Sequence, residues 1–327
     1  GQVAGTYYYG NNAGDLFIYE NDKFNDIGKI SDGPTFSLNN SGQLLIGESL
    51  YSNGHFTSIK DNVSSKIPYT TTYVSAGLNN QGNVVGTDVH WNDTMRTVDS
   101  AITIWNANSK TLSSTFEFNS NKNTMLVRGI NDNNQVVGTC SFNYGNDVAC
   151  VKMVDQDPVS LGTIEGYSRS LGLLINNAGQ VAGDVATDTG NTHAFLYSNG
   201  TMTDIGTFGG KDSNVVAMND LGQVVGYAYY ANNPIINGQQ INTTRVSFLY
   251  SNGQLTDLNT LLPANSEWDL GTLAVTGIND KGQIIGMGLN HGLEHGFILS
   301  PVPEPPVYAM LVIGACMLAR ARKRLQK

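Results

Sequence analysis

The sequence predicts an all-β fold over residues 1–300: a β-propeller of about seven four-stranded blades, with six blades as the alternative. Three observations carry this. One phrase recurs roughly every 40 to 60 residues, the period of propeller blades. A second phrase follows each copy of the first, ending in Asn-Gly in its two clearest copies. Helical periodicity is absent until residue 307. The clearest copies of the first phrase are Ile278–Gly286 (INDKGQIIG), Met218–Gly226, Ile175–Gly183 and Ile130–Gly138. Leu78–Gly86 and Leu38–Gly47 are looser, the latter one residue longer, and the chain opens within another copy at Gly1–Gly5.

Within a repeat, alternating apolar residues such as Val215, Ala217 and Met218 predict a half-buried first strand. Asn219-Asp220-Leu221-Gly222 has the chemistry of a type I turn closed by a left-handed residue. Asn134 fills that last slot in the fourth clear copy, and Asn tolerates the conformation best after Gly. Gln223-Val224-Val225-Gly226 starts the second strand. The third strand is His193–Tyr197, with Ser247–Tyr250 equivalent and weaker versions at Asp15–Glu20, Ala101–Trp105, Ala149–Met153 and Gly296–Ser300. Asn199-Gly200 and Asn252-Gly253, between apolar runs, are strong hairpin signals. The fourth strand ends in Asp-Ile-Gly or similar, as at Asp26–Gly28 and Asp204–Gly206. The first repeat lacks its first strand and the last lacks its fourth. With no initial Met and no signal peptide, the chain is expected to be a fragment of a longer exported precursor. Blade packing is expected to close a ring, with Val224, Phe195 and Leu196 between blades.

His193–Gly210 followed by Met218–Gly226 resembles the extracellular HAF-repeat family, named for a His-Ala-Phe tripeptide. His193-Ala194-Phe195 spells the tripeptide in full, and His295-Gly296-Phe297 is one change away. The resemblance covers residues 1–300, strongest in the last three repeats. It implies a fold and an extracellular location but no activity.

The end of the chain carries a different signal. Val302-Pro303-Glu304-Pro305 precedes an apolar run, Val307–Ala319, and then Arg320, Arg322, Lys323, Arg324 and Lys327. Proline blocks helix entry, so residues 301–306 read as an extended linker. The basic residues would hold the far end in the cytoplasm and leave the repeats outside. Residues 307–327 then read as a short transmembrane helix with its tail. The order resembles the PEP-CTERM sorting signal, which implies an exosortase-like membrane peptidase as partner. It also implies a transient inner-membrane anchor before transfer to the surface or release. Pro306 and Val307 depart from the Ser or Thr usual there. The run of about 13 residues gives about 20 Å of helix against a hydrocarbon core of about 30 Å, so flanking Arg and Tyr308 must bridge the gap.

Composition agrees with an exported protein. Charged residues are 14% of the chain and sum to −9, which argues against a nucleic-acid partner. Cys140 and Cys150 flank one turn between a second and a third strand, within reach of a disulfide that export would permit. Their alternative is two thiols on opposite faces. Cys316 reads as a small apolar side chain.

No catalytic motif is evident. His291-Gly292-Leu293-Glu294-His295 matches H-x-x-E-H, but that chemistry needs a helix and this segment reads as a hairpin. Asp204, Asp220 and Asp280 sit at repeat positions that favour turn chemistry over acid–base work. No metal site is read. Calcium is conceivable only at turns such as Asn131-Asp132-Asn133-Asn134, where satisfying the turn backbone is the simpler role. The repeat pattern breaks at two long loops, Asp88–Ser100 and Tyr227–Val246. The first offers His90, Trp91, Asp93 and Arg96 as candidate ligand contacts. The expectation is a non-enzymatic surface or matrix propeller that binds a glycan or a protein. An extracellular polysaccharide hydrolase or lyase on the same scaffold is the alternative.

Overall fold

A computed structural model describes residues 2–7, 15–29, 36–64, 70–92, 97–118, 123–142, 145–153, 156–263 and 266–301. Seven antiparallel sheets follow one another along the chain, each a blade. Blade 1 holds β1 (Val3–Tyr7), β2 (Asp15–Glu20) and β3 (Lys23–Lys29). Blade 2 holds β4 (Phe36–Leu38), β5 (Leu44–Ile46), β6 (Ser49–Ser52) and β7 (His55–Ser58), followed by α1 (Ile59–Ser64). Blade 3 is β8 (Thr70–Leu78), β9 (Asn83–Asn92), β10 (Thr97–Asn106) and β11 (Thr111–Phe118). Blade 4 is β12 (Asn123–Ile130), β13 (Val136–Phe142), β14 (Asp147–Lys152) and β15 (Val159–Gly162). Blade 5 is β16 (Arg169–Ile175), β17 (Val181–Ala186), β18 (Thr192–Ser198) and β19 (Thr201–Asp204). Blade 6 runs β20 (Gly209–Met218) and β21 (Val224–Tyr230), then a two-stranded hairpin of β22 (Ile235–Ile236) and β23 (Gln239–Gln240). It ends with β24 (Arg245–Ser251) and β25 (Gln254–Asp257). Blade 7 is β26 (Ala274–Ile278), β27 (Ile284–Asn290) and β28 (Leu293–Leu299). The architecture is a seven-bladed propeller. Among the described residues blade 1 has no first strand and blade 7 no fourth, as the repeat phrases predict.

The turn chemistry is as read from the sequence. Asn199 and Gly200 take φ of 50° and 80°, and Asn252 and Gly253 take 52° and 80°, the two positive values a type I′ hairpin needs. Asn134, in the glycine slot of its turn, has φ 58°. The glycine that ends each first phrase has a packing reason. In blades 3 to 7 the first strand carries a bulge three residues before the Asn of the turn, as between Gly172 and Leu174. The bulge aims a first-strand carbonyl at the glycine. A Cβ on Gly183 would collide with the Leu171 carbonyl and lie 2.9 Å from the Phe195 ring. The Phe of the second phrase therefore lies flat on the Gly of the first, and Phe195 and Phe248 are fully buried.

Two systems join the blades. One is a series of apolar cores, each shared by consecutive blades, six in all. Phe195 and Val224 are buried in two of these, and Leu196 packs on one from the side. The other is a hydrogen-bonded ladder of the first-to-second-strand turns. Asn39, Asn79, Asn131, Asn176 and Asn219 each donate Nδ2 to the carbonyl of the corresponding Asn one blade on, at 2.9–3.1 Å. Beside them, the backbone N–H of Asn40, Asn80, Asp132, Asn177 and Asp220 donates to the side-chain oxygen of the next blade's second residue, at 2.7–2.8 Å. The first residue must donate, so it is always Asn. The second only has to accept, so Asn and Asp both serve.

Three details differ from the sequence reading. Asp88–Ser100 is not simply a loop: β9 and β10 extend into it, pairing His90 with Asp99 and Trp91 with Val98. Tyr227–Val246 likewise resolves into strand ends plus the β22–β23 hairpin. The helix α1 was not foreseen because six residues are too few for a period to show. Ser58 Oγ accepts from Asp61 N at its start, and Ile59 and Val63, one turn apart, are fully buried against blades 2 and 3. Blades 7 and 1 share no strand, and among the described residues no apolar core joins them. The Pro-Glu-Pro box and the expected transmembrane helix lie outside the described residues.

Candidate functional site

The two ends of the barrel differ chemically. At one end the Asn ladder satisfies the polar groups of the turns. Asp132 accepts from Asn80 through both oxygens and from Asn177 through Oδ2, and Asp220 accepts from Asn177 through both. In the Asn131–Asn134 turn considered for calcium, Asn131 Oδ1 takes the N–H groups of Asn133 and Gln135, and Asn134 Oδ1 takes the Nδ2 groups of Asn79 and Asn83. Among the described residues, no group of three His, Cys, Asp or Glu side chains converges as a metal site would need.

The opposite end carries the second-to-third-strand and blade-to-blade connections. Here a cleft of about 410 Å³ opens against the first strand of blade 4. Thr124, Leu126 and Arg128 come from β12. They stand at alternate positions, and the strand's period of two brings them to one face, all exposed, while Met125 and Val127 turn into the blade 3–4 core. Thr87, Thr139, Asp147 and Leu171 complete the wall from β9, β13, β14 and β16. Leu126 is 52% exposed, a large apolar surface left open on an inner strand. Among the described residues, the side chains of Arg128 and Asp147 make no hydrogen bond or ion pair. Thr139 is 8% exposed and its hydroxyl has no partner.

Two other polar clusters are structural. His193 Nδ1 lies 2.9 Å from Asp204 Oδ2, Tyr167 donates to the same oxygen at 3.1 Å, and Gly206 N donates to Oδ1. The His of the second phrase thus meets the Asp of the Asp-Ile-Gly phrase within one blade. Burial, then the Asp204 charge, pushes the Tyr167 hydroxyl up to about 12. Tyr230 on Asp257 repeats the arrangement, also up to about 12 with burial the first cause. Asp184 follows the glycine of blade 5 and reaches into blade 6, accepting from Val215 N at 3.1 Å and Asn214 Nδ2 at 3.2 Å. Burial raises its carboxyl from 3.8 to about 6, against the opposing pull of those two bonds.

The residues singled out from the sequence fare unevenly. His90 and Trp91 fall on the β9 extension, while Asp93 and Arg96 lie outside the described residues. Cys140 and Cys150 form a disulfide across β13 and β14 with Cα atoms 5.8 Å apart. In blade 4, Cys150 stands opposite Gly138 where blades 1, 5, 6 and 7 place Phe, so the bridge fills the ring's place. His291 sits in a turn at φ 51°, and Glu294 and His295 follow one another on β28, which does not gather them as a zinc motif requires. Val302, Pro303, Glu304, Pro305 and the basic tail of Arg320, Arg322, Lys323, Arg324 and Lys327 lie outside the described residues.

Arg128 and Asp147 were missed. A signal for Arg128 was present: repeat alignment puts it at the bulge position, where the other blades carry Ala76, Leu173, Val216 and Thr276. A charge breaking that pattern marks an inner-wall residue once the bulge is known.

No protein-family model matches the sequence, and no curated protein matches it. Solved structures share the fold. The chain is similar to the Pyrococcus horikoshii acylaminoacyl peptidase, with TM-score 0.55 and 8% identity, over 94% of this chain and 52% of that one. It thus spans about half the length of that peptidase. It is also similar to the β-propeller domain of the Trilobed protease from Pyrococcus furiosus, described as having an open velcro topology. There the TM-score is 0.53 and the identity 9%, over 93% of this chain and 96% of that one. At such identities the likeness concerns the propeller fold and carries no chemistry.

Proposed function

We propose that the chain is an exported, non-enzymatic propeller of a cell surface or extracellular matrix that binds a glycan at the inner-wall cleft of blades 3 to 5. Its C-terminal segment is, on this reading, an exosortase-type sorting signal. The observation that carries the binding reading is the cleft, with Arg128 and Asp147 unpaired beside exposed Leu126. Groups left without partners at a concave apolar surface are what a polar ligand with an apolar face would complete. The hydrolase reading has less support: glycoside hydrolysis ordinarily uses a pair of carboxyl groups, and the described cleft wall offers Asp147 alone. Asp184 is turned into the seam between blades 5 and 6. The sorting reading rests on the order of the Pro-Glu-Pro box, apolar run and basic end.

A glycan array run beside a polysaccharide-degradation assay tests the function. The expected outcome is retention of a glycan without shortened products. Leu126→Trp, which fills the cleft from an exposed position, should abolish retention at an unchanged melting temperature. Release of oligosaccharides would instead establish the hydrolase or lyase.

A further inference from the structure

We propose that the cleft takes a sugar acid, a polyhydroxylated ring bearing one carboxylate such as a uronic acid residue of an acidic polysaccharide. This rests on the reading of the chain as a glycan-binding propeller and adds the ligand class. The argument is one of elimination by charge. Arg128 is an exposed guanidinium with no acidic partner, in a chain whose net charge is −9. A neutral sugar would leave it unpaired, whereas a carboxylate matches its planar fork through two parallel hydrogen bonds. The inner strands repeat this bias: Arg169 on β16 and Lys211 on β20 are exposed and equally unpaired, so blades 4, 5 and 6 each bring a cation on the first strand. The described first strands of blades 2, 3 and 7 bring none.

Asp147 narrows the class. On the same wall, it would repel a compact anion such as sulfate or phosphate, yet it can accept two hydrogen bonds from neighbouring sugar hydroxyls. Thr87 and Thr124 add hydroxyls that donate or accept. Leu126 and Leu171 offer an apolar surface for the C–H face of a pyranose ring. The volume of about 410 Å³ lies in the range of small-molecule sites.

Titration calorimetry of the full chain decides this. The probes are an oligogalacturonide, its carboxyl-reduced neutral counterpart, and sodium sulfate. The acidic oligosaccharide should bind at least 10-fold tighter than the reduced one, weaken with added salt, and outcompete sulfate. Arg128→Ala should bring its affinity down to that of the reduced sugar, and Arg128→Lys should recover only part, both at unchanged melting temperature. Equal affinity for acidic and reduced sugars, with Leu126→Trp blocking both, would overturn the sugar-acid class and leave the binding reading standing. Binding of sulfate as tight as of the oligogalacturonide would overturn the class as well. An Arg128→Ala variant that binds the oligogalacturonide like the wild type would overturn the sugar-acid class, and unchanged binding by Leu126→Trp as well would remove the cleft as the site. No binding by any saccharide on a full array would sink both readings.

Discussion

At the scale of single residues, hydrogen-bond polarity decides which side chains the repeat accepts. Asn176 is 4% exposed, donates to Gln180 Oε1 and the Asn219 carbonyl, and accepts from Ala178 N and Gln180 N. Asn176→Asp removes both donors and puts a carboxylate against a carbonyl. It should cost about 2–3 kcal/mol in urea unfolding. Asp280 only has to accept from Asp220 N, so Asp280→Asn should change stability by less than about 0.5 kcal/mol. Equal effects of the two would break the donor–acceptor account of the ladder. Asp184 makes a pH-dependent prediction. Its folded carboxyl is raised from 3.8 to about 6, so the folded state holds this proton more tightly than the unfolded chain. The associated stability is complete below 3.8 and is lost as pH rises through 6. Asp184→Asn lacks that titration. Between pH 4 and pH 7 the wild type should therefore lose up to about 3 kcal/mol relative to the variant. A stability difference independent of pH would show that the carboxyl is not perturbed.

At the scale of elements, the blade is a unit of four strands whose inner strand is bent by a bulge and whose second strand must then be glycine at one point. Blade 4 departs from the pattern in two linked ways: Cys150 replaces the aromatic ring, and the disulfide to Cys140 ties β13 to β14. The bridge closes a short loop, and replacing both cysteines with serine should cost about 2–3 kcal/mol by the loop-entropy estimate. The loss should appear in thermal melts, and hydrogen exchange should place it in blade 4. Since β12 and β14 also carry the cleft, the same variant should weaken ligand binding more than an equally destabilising change in blade 7. Unchanged exchange in blade 4 would mean that strand pairing alone holds the unit. The bulge, the glycine and the Phe ring form one packing arrangement; the glycine and the Phe were visible in the sequence as repeated letters without their reason, whereas the bulge position, which varies from Ala76 to Thr276, was not.

At the scale of the whole molecule, stability is a sum of blade units and their interfaces, as in other repeat folds. Six apolar cores and five ladder steps join seven blades in series. The sorting proposal belongs here, because it separates the propeller from its tail. Deleting Pro303–Lys327 should leave the melting temperature unchanged, since the described blades end at Leu299, and should send a folded protein to the periplasm. In a host with an exosortase, C-terminal mass mapping of the surface protein should find cleavage near the Pro-Glu-Pro box. An uncut C-terminus, or unfolding on deletion, would replace the sorting signal with a structural helix.

The sequence by itself determined a propeller of repeating blades, its strand order and its turns, while it left the blade count between seven and six and the Cys140–Cys150 bridge as one of two alternatives. Those features are set by local rules, namely period, positive-φ residues and short spacing, which repeat with each blade and so reinforce one another. The tertiary structure alone decided three things. It turned the Asn-Asp pairs into bonds between blades, because their partners lie 40 to 60 residues away. It made strand extensions of the segment holding His90 and Trp91. It gathered Thr124, Leu126 and Arg128 with Thr139, Asp147 and Leu171 into one cleft. Those residues come from four strands of two blades, and only the stacking of first strands around a common axis brings them to one wall.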